Sequence, residues 1–129
     1  MKLNLNVNLK EAMVLMRALE RIDVNFIQSR IHKYEMDNMS IENIRMGIKR
    51  IIKSINNFDK ECNIFYKDAV QLMEWLGFQD EDDTQELLGI SIVSYEDEEE
   101  IDNVDRELCN LYSDLSYSIK QYKLYGGEM

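Results

Sequence analysis

Stepping alternately by three and four residues from Ile41 reaches Ile44, Ile48, Ile51, Ile55, Phe58, Cys62, Phe65, Ala69, Leu72 and Leu76, and none of these positions is charged. Apolar residues at that spacing lie along one side of a helix, and a sustained seven-residue repeat winds such a helix left-handedly against its neighbours. The spacing therefore predicts one continuous helix from Ile41 to Leu76, about 54 Å long at 1.5 Å per residue. Ser40 is placed to cap its start, and Gly77 to end it in a left-handed C-terminal cap. Gly47 lies beside the seam, where it either admits a neighbouring backbone or weakens the helix by about 1 kcal/mol relative to alanine.

Two further helices are expected around this one. Ala12, Leu15, Leu19, Ile22 and Phe26 form a stripe, widened by Met13, Met16 and Ile27, that predicts a first helix from about Leu9 to Tyr34. Asn8 is its candidate cap and Glu11 its third residue, as in a capping box. Ile101, Val104, Leu108, Leu111, Leu115, Ser118, Tyr122 and Tyr125 form a third seam, flanked by Tyr112 and Ile119, for a helix that starts near Asp97 and ends before Gly126. Alternation of Leu3, Leu5, Val7 and Leu9 with polar residues predicts an N-terminal strand. The β-branched run Ile90-Ser91-Ile92-Val93-Ser94-Tyr95 predicts a second. Asp83 to Leu88 reads as one short helical turn closed by Gly89.

These elements predict a mainly α fold: a single domain over 1–129, built as a three-helix antiparallel bundle with a long coiled-coil-like second helix. Two short strands pair at one end, in the order β-α-α-β-α, and residues 77–100 form an acidic connection containing the second strand. The absence of proline and the presence of only five glycines agree with a helical fold, since sandwiches and barrels need many tight turns. A 36-residue seam exceeds what helices of about 26 residues cover, which makes a homodimer the expected assembly.

No signal-peptide core and no membrane span is legible, so a cytoplasmic protein without membrane contact is expected. Cys62 and Cys109 show no metal-type spacing and read as reduced thiols. Neither Cys62 nor any serine stands in a nucleophile motif, and His32, the single histidine, sits where it can interact with a helix C-terminus. The sequence thus predicts no enzyme, no cofactor, no metal and no catalytic residue. The abundance of Ile, Asn and Lys suggests an AT-rich bacterial or phage genome.

Charge is the remaining signal. Residues 1–70 carry a balance of +3 and residues 71–129 one of −13, with 13 acids between Gln79 and Glu107 opposed only by Arg106. Such a field disfavours direct nucleic-acid binding and suits a protein partner with a basic surface. The expected partner-binding residues are Asp80, Glu81, Asp82, Asp83, Glu96, Asp97, Glu98, Glu99 and Glu100. Trp75, Phe78 and Tyr117 join them as aromatic residues that leave the heptad stripes. The function expected from this is that of a non-catalytic, phage-type inhibitor that enters the basic groove of a nucleic-acid-processing or defence complex. An alternative is a sponge for small anionic nucleotides at a subunit interface, using Arg45, Lys49, Arg50 and Lys53, on the helix back that also carries Lys60 and Lys67. A further alternative is an all-α metal-dependent nucleotide hydrolase using Glu99, Asp102 and Asp105, whose spacing shares a helix face.

Overall fold

Local capping chemistry divides the helical stripes more finely than their periodicity suggests. The computed structural model describes residues 2–5, 9–56 and 62–125; the expected cap at Asn8, the seam residue Phe58 and Lys60 lie outside them. Among the described residues the order is β1 (Lys2–Leu5), α1 (Leu9–Leu19), α2 (Val24–Lys33), α3 (Ile41–Asn56), β2 (Cys62–Phe65), α4 (Tyr66–Leu76), α5 (Glu81–Leu88) and α6 (Tyr95–Tyr125). The protein is mainly helical, as expected, but it is not a three-helix bundle.

The expected first helix is two helices. Asp23 adopts an extended backbone, and its carboxylate accepts a hydrogen bond from the Phe26 N–H at 2.8 Å, so the chain restarts as α2. The stripe survives the break at Ala12, Leu15, Leu19, Ile22 and Ile27, all buried, with Phe26 half-buried, whereas Met13 points to solvent. Glu35, at φ 52°, follows α2 in the left-handed region.

The continuous helix from Ile41 to Leu76 is also absent. Cys62–Phe65 instead pairs antiparallel with Lys2–Leu5, Leu3 opposite Ile64 and Leu5 opposite Cys62, and α4 begins at once after it. The two halves of the seam therefore fold back on each other. Ile44, Ile48 and Ile51 of α3 share one core with Ala69, Leu72 and Leu76 of α4. Gly47 admits a close neighbour, because a Cβ there would lie 3.2 Å from Ile64 Cδ1 of β2 and 3.3 Å from the Asp68 carbonyl oxygen of α4. Since the seam is covered within one chain, the length argument for a homodimer no longer holds.

The strand expected at Ile90–Tyr95 is not one either. Ser94 and Asp97 form a reciprocal helix start, in which Asp97 Oδ2 accepts from the Val93 and Ser94 N–H groups at 3.1 Å and Asp97 N–H donates to Ser94 Oγ at 3.4 Å. Tyr95 is thereby drawn into α6, and Val93 is left 86% exposed. The strand pair thus uses a different partner from the expected one. Gly77 is right-handed, at φ −61°, and the left-handed cap falls at Gly89, at φ 65°.

The 31-residue α6 is the spine of the fold, about 46 Å long. Its seam is buried at Ile101, Val104, Leu108, Leu111, Leu115 and Ser118, with the flanking Ile119; Tyr122 is half-buried, and the side chain of Tyr125 lies outside the described residues. α1, α4, α5 and β1 pack against it, while α3 lies across α4, β2, α1 and α2. No described helix is long and apolar enough to cross a membrane.

Candidate functional site

The acidic residues of 80–107 separate into an inward set and an outward set, and the start of α5 does the sorting. Asp80 caps α5 by accepting from the Asp83 N–H at 2.8 Å, and Asp83 Oδ2 accepts from the Asp80 N–H at 3.3 Å. This box turns Asp83 into the protein. There its carboxylate is fully buried, forms an ion pair with the equally buried Arg30, and accepts from Tyr34 Oη at 2.7 Å and Lys33 Nζ at 3.1 Å. Arg30 also pairs with Glu86 at 2.8 Å and lies 4.6 Å from the centroid of the Phe26 ring.

Burial pushes the Asp83 carboxyl upward, but the hydrogen bonds from Tyr34, Lys33 and the Asp80 backbone, with the charge of Arg30, outweigh it and hold the group below the usual carboxylate range. The same contact with Asp83 raises the Tyr34 hydroxyl and the Lys33 ammonium above their ordinary values. On the other side of α5, the buried Thr84 donates from Oγ1 to Asp105 Oδ1 at 2.9 Å. α5 is thus pinned to α2 by ions and to α6 by a hydroxyl.

The outward set consists of Glu81 and Asp82 on α5 and Glu96, Glu98, Glu99 and Asp102 on α6, all exposed. Glu81 and Asp102 come within hydrogen-bonding reach across the two helices. The Glu81 carboxyl is raised above its ordinary value, first by the hydrogen bond with Asp102 and then by the charges of Asp102, Asp105 and Glu98. A negative charge beside the Glu81 carboxyl disfavours its ionised form. Because the folded pKa of Glu81 lies above the unfolded one, its proton stabilises the fold at acid pH, and that contribution is lost as pH rises through the folded value. Glu81→Gln keeps a donor and removes one charge. It is expected to shrink the fall in melting temperature between about pH 4 and pH 7, as measured by circular dichroism.

Several expected surface residues stand elsewhere. Asp83 belongs to the interior, so it cannot contact a partner. Trp75 is only 2% exposed and packs edge-on to Phe26 with ring centroids 6.0 Å apart, so it is core. Asp97 is engaged in the start of α6, and Glu100 pairs with Arg17 of α1. Phe78 is 49% exposed and stands beside Tyr34 at 5.4 Å, on the α2 side of the molecule. Tyr117, 66% exposed, lies about 18 Å farther along α6 than Asp105 and does not join it. Of the alternative anion set, Arg45, Lys49 and Lys53 are exposed on α3, but Arg50 is drawn away, with Nε 3.5 Å from Asp68 Oδ2 and the guanidinium 3.7 Å from the Phe65 ring centroid.

No three His, Cys, Asp or Glu side chains among the described residues converge as a metal site, so Glu99, Asp102 and Asp105 are not gathered as the hydrolase reading requires. The Cys109 thiol is exposed, and burial of its sulfur followed by the charge of Asp105 pushes it upward, away from the reactive thiolate. The Arg30 cluster went unread in the sequence. Its signal is present, however: Arg30 and Tyr34 continue the stripe of Ile22, Phe26 and Ile27 at helical spacing, and a cation in an apolar stripe asks for a buried anion.

No protein-family model, curated protein or solved structure shows significant similarity to this chain.

Proposed function

We propose that the protein is a non-catalytic acidic interaction protein that acts in the cytoplasm, and that the α5–α6 face carrying Glu81, Asp82, Glu98, Glu99 and Asp102 engages a basic surface on a macromolecular partner. The observation that supports this most directly is the approach of Glu81 to Asp102. Like charges held together cost stability, and here Glu81 stands on a short helix fixed by Arg30, Asp83 and Thr84, and Asp102 on the long α6, rather than on a free loop. A cationic side chain arriving from a partner would relieve that repulsion, which makes the face better suited to binding than to solubility alone.

The narrower form of the proposal is a phage-type inhibitor that occupies the positively charged channel of a nucleic-acid-processing or defence complex. It draws on the AT-rich composition and on the strength of the negative field.

The test compares the wild-type chain with a variant carrying Glu81→Gln, Asp82→Asn, Glu98→Gln and Asp102→Asn as bait in cells of the native host. A basic protein retained by the wild type, released by raised salt and lost with the variant is the expected result. The narrower form also requires that this protein bind less nucleic acid when the wild-type chain is present. An identical set of retained proteins for both baits would sink the proposal.

A further inference from the structure

A cavity of about 430 Å³ lies between the first half of α3 and the start of α4, within the size range of small-molecule sites. Its walls are fixed by packing and hydrogen bonds. The Ser40 N–H donates to Gln71 Oε1 at 2.6 Å, tying the start of α3 to α4, and Gly47 brings the two helices together. Arg50, Lys67, Asp68 and Glu42 line the cavity, with Asn43 and Phe65 between them.

We propose that this cavity binds a small anion that also carries N–H donors, with the size and chemistry of a nucleoside monophosphate. Three observations lead there. Arg50 is held by the Phe65 ring on one face and by Asp68 at Nε, yet its side chain is one-third exposed, so its outer edge is a positioned fork for phosphate oxygens, with the exposed Lys67 nearby. Asp68 is 2% exposed, and its Oδ1 is buried without a hydrogen-bond partner. A buried carboxylate oxygen without a donor is costly, and it marks a place for an N–H group. The first N–H groups of α4 also lack a side-chain cap, since Phe65 occupies the N-cap.

Glu42 and Asp68 would repel an anion lacking donors, whereas a ligand pairing phosphate with base N–H groups finds a partner for each end. A planar base also suits the flat guanidinium–Phe65 stack better than a flexible amine does. Guanine, with an amino and an imide N–H side by side, matches a carboxylate best. The site uses residues distant from the acidic face and does not rest on the proposal made for it.

Titration calorimetry of the full chain with guanosine, adenosine and uridine 5′-monophosphates and with inorganic phosphate tests the site. The expected result is saturable binding of guanosine monophosphate at one site, at least about ten-fold tighter than phosphate, the ratio set by one charge-assisted hydrogen bond. Asp68→Asn should remove that preference and, with the repelling charge gone, tighten phosphate binding, so that the two affinities converge. Arg50→Lys, which keeps the charge and loses the fork, should weaken both, with folding checked by circular dichroism. Absence of saturable binding by all three nucleotides overturns the proposal. So does a nucleotide that binds no tighter than phosphate, which the wild-type chain alone reports, or nucleotide affinity unchanged in both variants.

Discussion

Asp83→Ala is expected to destabilise the protein by about 3–5 kcal/mol, the usual cost of removing one partner from a buried ion pair. The reason lies with what stays behind. Arg30 would remain buried with only the exposed Glu86 for a counter-charge, and Lys33 and Tyr34 would lose the acceptor they share. The capping box of α5 would go as well, since Asp83 supplies one of its two hydrogen bonds. Urea denaturation followed by far-ultraviolet circular dichroism measures the effect. The paired change Arg30→Met with Asp83→Leu should recover the part of the loss that the stranded guanidinium causes, because apolar residues of similar volume do not need the desolvation that the ions do, while the loss of the box and of the shared acceptor remains.

The sign of the pH dependence follows from the depressed Asp83 carboxyl. Its folded pKa lies below the unfolded one, so its contribution is present above the unfolded value and disappears as pH falls through the folded value. Asp83→Asn should therefore flatten the acid limb of the stability profile. Glu81, with its raised carboxyl, acts in the opposite direction, and the two variants should bend the profile in opposite senses.

The second large effect is expected at Trp75. Trp75→Ala should cost about 3–5 kcal/mol, because the indole is buried between α2 and the core. Trp75→Phe should cost much less, since the indole N–H has no hydrogen-bond partner to lose and the aromatic contact with Phe26 can be kept. Thermal melts of the two variants separate these outcomes. A Trp75→Ala protein as stable as the wild type would return this residue to the surface role that its sequence position suggests.

How far the sequence reveals the fold depends on where the deciding contacts are made. The seam of α6 is legible because 31 helical residues repeat one pattern without a competing local signal. Capping chemistry was present but outweighed by periodicity: Asp23 three residues before Phe26, and Ser94 three before Asp97, are both helix-start signals lying in segments whose apolar spacing argued otherwise. The pairing of Lys2–Leu5 with Cys62–Phe65 was not legible, because nothing local to either segment names its partner. The acidic run was found as a block, but a block of charge cannot say which members turn inward. That choice is made by the box between Asp80 and Asp83, and by the guanidinium that a stripe of apolar residues delivers to the same place.

The strand pair also orders events in time. Its two strands lie about 60 residues apart in the chain, and closing a loop of that length costs about 3–4 kcal/mol of chain entropy beyond a constant. During synthesis, Lys2–Leu5 emerges first and has no partner until Phe65 has left the ribosome. The opening strand is thus a late acquisition of the fold, since the strand that receives it is made about 60 residues after it.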